Sequence, residues 1–354
     1  MKPRGRIKRT PEDFVVEEVP AYAPCGEGDH LYVRFTKRGL TSDEAAARIA
    51  RAAGAPPRDV GIAGMKDKIA VTTQTISLPA PLSKGGAEVE AKVRALSFDG
   101  ITVHEVRRHG NKLRPGHLAG NRFAIVVREI EPSRVDEVVA ALEAIGREGM
   151  PNAFGAQRFG RDRDNADRAR SWLSGRSPAP RDARLRRLLF SALQAELFNR
   201  VLSVRVARGT WATPLVGDVV KRRRSGALFA WTGDGAGDRD GREEDVASPT
   251  GPMFGARMRE PEGEPAAIER EVLSEHLGPG VDLAAARALG EGTRRSLRLW
   301  VDELRVEPIP DENQRSGLKF YFVLPKGGYA TSVLGAALAL DSTEDRAPDV
   351  DPTA

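Results

Sequence analysis

The chain has 354 residues, 40% of them hydrophobic, and 55 Lys and Arg against 50 Asp and Glu give a net charge of +5. That length exceeds one ordinary domain and suggests two, with enough apolar residues to bury a substantial core. A single cysteine excludes a disulfide framework and fits a reducing cytoplasm, while the absence of any run of 18 apolar residues excludes a membrane-spanning helix.

In chain order, the basic N-terminal stretch "MKPRGRIKRTPEDF" lacks the apolar core of a signal peptide. "DFVVEEVP" (13–20) and "HLYVRFTKRG" (30–39) read as strands, rich in Val, Tyr and Phe. A helix is predicted for "TSDEAAARIARAAG" (41–54), because Thr41 and Glu44 have capping-box spacing and Gly54 is a C-terminal stop. "GIAGMKDKIAVTTQTI" (61–76) opens as strand or loop and continues as β. Next come a strand at "GNRFAIVVREI" (120–130) and a helix from Ser133 to about Ile145. A long amphipathic helix covers about 183–203, where Leu185, Leu189, Leu193, Leu197 and Val201 recur at helical steps. "WTGDGAGDRDGREEDVASPTGP" (231–252) reads as a long mobile loop. "LRVEPI" and "KFYFVLP" (319–325) return to β, and the acidic tail 341–354 is expected to be disordered. Strands and helices mixed without regular βαβ spacing predict an α+β fold. β-type segments flanking a helix-rich centre predict one domain, 1–160 plus 290–340, interrupted by an inserted domain, 161–289.

Of the cationic residues, 11 are Lys and 44 are Arg. Arginine's planar fork suits phosphate and base edges, so the bias points to a nucleic acid, although a GC-rich genome inflates Arg as well. The five histidines (His30, His104, His109, His117 and His276) show no metal-ligand spacing, so the expected chemistry needs no metal and no cofactor.

Three segments combine glycine with polar or aromatic groups. In the first, "GIAGMKDKIAVTTQ", Asp67 stands between Lys66 and Lys68, a setting that by itself reads as a surface charge. The second, "RRHGNKLRPGHLAGNRF" (107–123), carries Arg107, Arg108, Lys112 and Arg114, which can follow a nucleic-acid backbone or simply form a solvated face. In the third, "PNAFGAQRFG" (151–160), Phe154 and Phe159 offer stacking faces, and Gln157 and Arg158 offer hydrogen bonds to a base edge. The bland alternative for this segment is a buried Phe pair beside a tight turn.

Taken together and in this order, "GMKDKIAVTTQ", "GNRF" and "PNAFGAQRFG" resemble the signature motifs of the TruD family of tRNA pseudouridine synthases. The resemblance continues through "FSALQAELFN", "GDVV", "TGPMFGARM" and "LPKGGYATSVLG" and covers all but the acidic tail. It implies a catalytic domain of pseudouridine synthase type, with a mixed, largely antiparallel sheet, and an inserted α+β RNA-binding domain. It also implies uridine 13 of the tRNA D arm as substrate. By that resemblance Asp67 is the catalytic residue, and Phe123 matches the family's stacking Phe. Asn121 and Gln157 would hold the loop or the uracil edge. Glu18 matches a recurrent acid near the site, and Lys66 and Gln74 belong to the intact motif. Isomerising uridine needs neither redox change nor net hydrolysis, and a carboxylate can act on C1′ or on the sugar. That carboxylate must be ionised. If residues 66–68 are extended, Lys66 and Lys68 point away from Asp67, so its ionic partner comes from elsewhere, with Arg158 the candidate.

Two other classes compete: a non-catalytic RNA-binding protein or chaperone on the same scaffold, and a base-excision glycosidase, which needs a second carboxylate to activate water. A synthase acting on another RNA uridine is the nearer alternative. No feature suggests an obligate partner, and a monomer is expected.

Overall fold

The computed structural model describes residues 1–233, 246–283, 286–309 and 316–342. The chain opens with β1 (Arg4–Ile7), β2 (Phe14–Pro20), β3 (His30–Arg38), α1 (Ser42–Ala53), β4 (Gly61–Ile62), β5 (Val71–Pro79), α2 (Gly86–Arg94), β6 (Ile101–His109), β7 (Leu118–Ile130) and α3 (Val135–Glu148). The middle holds β8 (Met150–Pro151), α4 (Asn165–Leu173), α5 (Ala183–Ala207), β9 (Val219–Arg222), β10 (Leu228–Ala230), β11 (Ala247–Met253), α6 (Gly263–His276), β12 (Thr293–Ser296) and β13 (Arg298–Leu299). It closes with β14 (Asp302–Ile309), β15 (Ser316–Pro325), α7 (Ala330–Ala337) and β16 (Ala339–Ser342). These elements form two compact units, Met1–Glu148 with the chain from Trp300 onward, and Gly149–Leu299.

A ten-stranded sheet builds the first unit, in the order β14-β15-β7-β2-β5-β3-β6, with β1 beside β7, β16 beside β1, and β4 beside β5. It is mixed and largely antiparallel: only β2 with β5 and β1 with β16 run parallel. Alternation explains β2, whose Phe14, Val16 and Glu18 are buried while Val15, Glu17 and Val19 are half-buried. On β3 and β5, Leu31, Val33, Phe35, Ile76 and Leu78 pack against Ala45, Ala46, Ile49, Ala50 and Ala53 of α1. Burying a side chain such as Ile49 or Phe35 stabilises the fold by about 1.5–3 kcal/mol each. The capping box is present: Glu44 N donates to Thr41 Oγ1 at 3.2 Å, and Thr41 N donates to Glu44 Oε2 at 2.7 Å. Gly54 ends α1 at φ 76°, the left-handed conformation that glycine adopts without strain.

The second unit wraps around α5. Leu189, Leu193 and Leu197 pack with Ala169 and Phe254, Phe198 and Leu202 pack with Met253 and Leu297, and Val201 packs with Ile268 and Val272. Four residues beyond its expected end, α5 still runs, because Arg205 turns inward and forms a buried two-pronged pair with Asp218 at 2.8 Å. Its buried partner lies 13 residues away, outside the reach of helical periodicity.

Three expectations are corrected here. The boundaries of the units fall at 148/149 and 299/300, so 149–160 and 290–299 belong to the second unit, because β8 pairs with β13 inside it. Within the supposed loop 231–252, Ala247–Met253 is a strand between β9 and β12. A Cβ on Gly251 would meet Leu297 Cδ2 at 2.8 Å and Phe198 Cε2 at 2.9 Å, so glycine there serves close packing and not a turn. Asp341 and Ser342 of the supposed tail pair with β1, while the rest of that tail, 343–354, and residues 234–245 of the loop lie outside the described residues. No described helix is long and apolar enough to cross a membrane.

Candidate active site

Asp67 lies in the irregular segment that joins β4 to β5. A Cβ on Gly61, in β4 just before it, would meet Leu113 O at 2.2 Å, so only glycine lets the 110–117 loop approach. The segment is held at three points. Gly116 N donates to Ala63 O at 2.8 Å, Lys66 N donates to Ser42 Oγ at 2.9 Å, and Lys37 Nζ donates to Asp67 O at 2.7 Å. Ser42 Oγ in turn donates to Gln74 Oε1 at 2.9 Å.

The partner of the Asp67 carboxylate is Lys8, whose Nζ lies 3.1 Å from Oδ2. Lys8 is buried, sits 5.0 Å from the centre of the Phe14 ring, and has a left-handed φ of 57°. Such a backbone costs a non-glycine residue about 1–2 kcal/mol. Here it turns the ammonium inward beneath the acid. Arg158, the candidate from sequence, belongs to the second unit, where Nη2 donates to Ser191 Oγ and the guanidinium lies 5.6 Å from the Phe154 ring. Residues 66–68 are not a strand, and Lys66 turns to Glu18, with Nζ 3.0 Å from Oε2. Glu18 is buried, and its Oε1 also faces Thr75 N at 3.5 Å.

A cleft of about 470 Å³ opens at Asp67, lined among others by Phe14, Val16, Leu118, Asn121, Phe123 and Tyr329. Register explains the gathering: Val16 pairs with Phe123 and Glu18 with Asn121, while Phe123 pairs in turn with Phe322. Phe123 is only 6% exposed, stacked on Phe322 at 5.2 Å and edge-on to Phe14 at 6.4 Å. Tyr329, by contrast, is 39% exposed. Asn121 Oδ1 and Gln74 Nε2 are buried with no hydrogen-bond partner among the described residues.

The remaining sequence candidates divide. Arg107 is exposed and pairs with its neighbour Glu105 at 2.6 Å, Arg114 is exposed, and Lys112 is half-buried. Arg108 is different. It donates to Glu90 at 2.9 Å and to the carbonyls of Gly28, Ala80 and Gly86 at 3.0–3.2 Å, so its fork is committed to the fold. That removes it from the phosphate-contact set. Gln157, exposed, and Phe159, half-buried, lie with Arg158 on a single turn of the second unit, Ala156–Phe159. Sequence reasoning missed Lys8, Phe14, Lys37, Ser42 and Tyr329. For Lys37 a signal existed, a cation closing the apolar row Leu31, Val33, Phe35. Lys8, in a basic run, carried none.

An exposed carboxylate beside a buried ammonium, at the edge of a cleft lined by aromatic rings, has the chemistry to act as a nucleophile or to accept a proton. The second acid, Glu18, is already paired with Lys66, and among the described residues no group of three His, Cys, Asp or Glu is placed to hold a metal ion.

Comparisons with known proteins identify the family. The family profile of tRNA pseudouridine synthase D (TruD) matches residues 3–173 and 180–336. The chain is 45% identical to the tRNA pseudouridine synthase D of Anaeromyxobacter sp. (strain Fw109-5), over 93% of this chain and 91% of that one. To a protein of that name from Thermus thermophilus it is 37% identical, over 96% and 90%. A solved structure from Methanosarcina mazei shares the fold, with a TM-score of 0.72 at 24% identity over 96% of this chain and 94% of that one. By its motifs, its sheet and these matches, the chain belongs to the tRNA pseudouridine synthase D (TruD) family of RNA-modifying isomerases.

Proposed function

We propose that this protein isomerises uridine to pseudouridine in tRNA, at uridine 13 of the D arm, with Asp67 as the catalytic carboxylate. The observation that carries the reading is the pairing of exposed Asp67 with buried Lys8 at the edge of the aromatic cleft. In this reaction the N1–C1′ bond breaks, the uracil turns, and C5 bonds to C1′. The C5 proton leaves and N1 gains one, so atoms balance without a redox partner. Asp67 acts either by attack on C1′ or by taking a proton from the sugar.

A uridine inside folded RNA must be extruded to reach the cleft, and unstacking costs a few kcal/mol. Stacking on an aromatic ring returns about 1–3 kcal/mol, and Tyr329 with Phe123 supplies that surface. Asn121 Oδ1, an unpartnered acceptor, suits the uracil N3–H. Exposed Arg107 and Arg114, with Lys112, would follow phosphates, and the second unit, carrying Gln157, Arg158 and Phe159, would be the RNA-binding domain. A monomer in the cytoplasm is the simplest form of this enzyme, in keeping with a lone free cysteine, Cys25. The glycosidase alternative is disfavoured because Glu18 is neutralised by Lys66 and is not poised to activate water.

Asp67→Asn should abolish isomerisation while leaving tRNA binding within a few-fold, because affinity is spread over many phosphate contacts. Tritium release from 5-[³H]uridine-labelled tRNA reads this directly, and appreciable turnover would refute the assignment. Mapping pseudouridine in tRNA from cells with and without the gene tests the target position.

A further inference from the structure

Leu31, Val33 and Phe35 of β3 form a buried apolar row against α1, and the next residue on that face, Lys37, is also wholly buried. Among the described residues its amine makes one side-chain hydrogen bond, to the main-chain carbonyl of Asp67, and no ion pair. Burial pushes its pKa down to about 8, with Asp67 opposing the shift and Lys66 adding to it. A buried ammonium without a carboxylate partner opposes folding, so stability alone would favour an apolar side chain at this position.

The placement has a consequence for the neighbouring acid. The segment carrying Asp67 has no strand partner, and beyond the main-chain bond at Ala63 it is held by side-chain tethers. Ser42 holds the Lys66 amide and Lys37 holds the Asp67 carbonyl, one on each side of the Asp67 Cα. We propose that Lys37 is a positioning residue for the reaction, fixing through the Asp67 carbonyl the direction in which the carboxylate enters the cleft. This rests on Asp67 as the catalytic acid. Displacing a reacting group by about 1 Å can lower a rate by about 10²-fold, which gives such a tether its value.

Lys37→Met removes the donor at nearly constant shape and separates this role from a structural one. Expected at pH 7 is a kcat lowered about tenfold or more, KM and tRNA affinity within twofold of wild type, and a Tm equal or higher, since a buried charge is gone. Lys37→Gln, which keeps a donor, should recover part of kcat. An unchanged kcat in Lys37→Met overturns the proposal, as does a kcat that falls together with Tm and is not recovered by Gln. Asp67→Asn assayed in parallel separates the two claims. If it is inactive and Lys37→Met runs at full rate, only the positioning role is wrong. If Asp67→Asn is active, the catalytic reading falls and this proposal with it.

Discussion

Lys8 Nζ lies 3.1 Å from Asp67 Oδ2, with the lysine side chain 6% exposed and the carboxylate side chain 52% exposed. The pair is therefore asymmetric: the cation is fixed in the protein and the anion faces the cleft. A lysine so placed pairs with the acid without blocking the approach of a substrate.

Lys8→Met should lower the single-turnover rate by about 10- to 100-fold, since about 1.4 kcal/mol lost from the transition state is one factor of ten. Binding of tRNA should stay within a few-fold. Rapid-quench tritium release and filter binding on the same preparation check both. A full rate in the variant would mean that the ion pair has no part in the chemistry.

Phe123 and Tyr329 should respond differently to truncation. Phe123 is packed between Phe322 and Phe14, so Phe123→Ala should cost about 3–5 kcal/mol of stability and lower Tm along with the rate. Tyr329 is the more exposed ring, so Tyr329→Ala should leave Tm nearly unchanged and slow the chemical step by about 10- to 100-fold if ~1–3 kcal/mol of stacking is lost. Thermal melts beside single-turnover rates distinguish the two. Equal loss of Tm in both variants would contradict the exposure difference.

Arg108, on β6, and Arg114, in the loop that follows it, separate fold from RNA contact within a few residues. Arg114→Ala should weaken tRNA binding and flatten the log–log salt slope by up to about one unit. Arg108→Ala should leave the slope alone and lower Tm, because it removes the donor that the Gly28 and Ala80 carbonyls share and the ion pair with Glu90. Binding across a salt series and a melting curve for each variant decide the matter.

Lys37 makes stability depend on pH in a definite direction. Its folded pKa, about 8, lies below the ordinary 10.5, so between those values the unfolded chain holds a proton that the folded chain has released. Raising pH through that window therefore stabilises the fold, and below it the opposing effect of the buried charge is fully present. Lys37→Met lacks this dependence. Its stability gain over wild type should be largest near pH 7 and shrink by pH 10, as urea midpoints across that range would report. A gain constant with pH would show that Lys37 titrates normally.

Local signals carried much of the architecture. The capping box at Thr41 and Glu44, the stop at Gly54, and the alternation of Phe14, Val16 and Glu18 depend on neighbours within a few residues, so they could be read from the sequence. Asp67, Asn121 and Phe123 were legible by motif, and Arg108 was legible as a cation but not as a strut. Its acceptors at Gly28 and Ala80 are 80 and 28 residues away, and no local pattern encodes that.

The sequence by itself determined the family and several of the strands and helices, and it singled out Asp67 by motif, because each rests on short-range periodicity or on a contiguous motif. Tertiary structure alone decided which cation meets that acid. Lys8 and Asp67 are brought together by β1, β2, β5 and β7, whose mutual register is set by long-range pairing, and a left-handed residue at the end of β1 turns the ammonium inward. The same pairing turned Lys37 from the end of an apolar row into a tether under the Asp67 carbonyl. Which charges are buried, and beside what, is a property of packing between distant segments, and a linear reading of charge has no access to it.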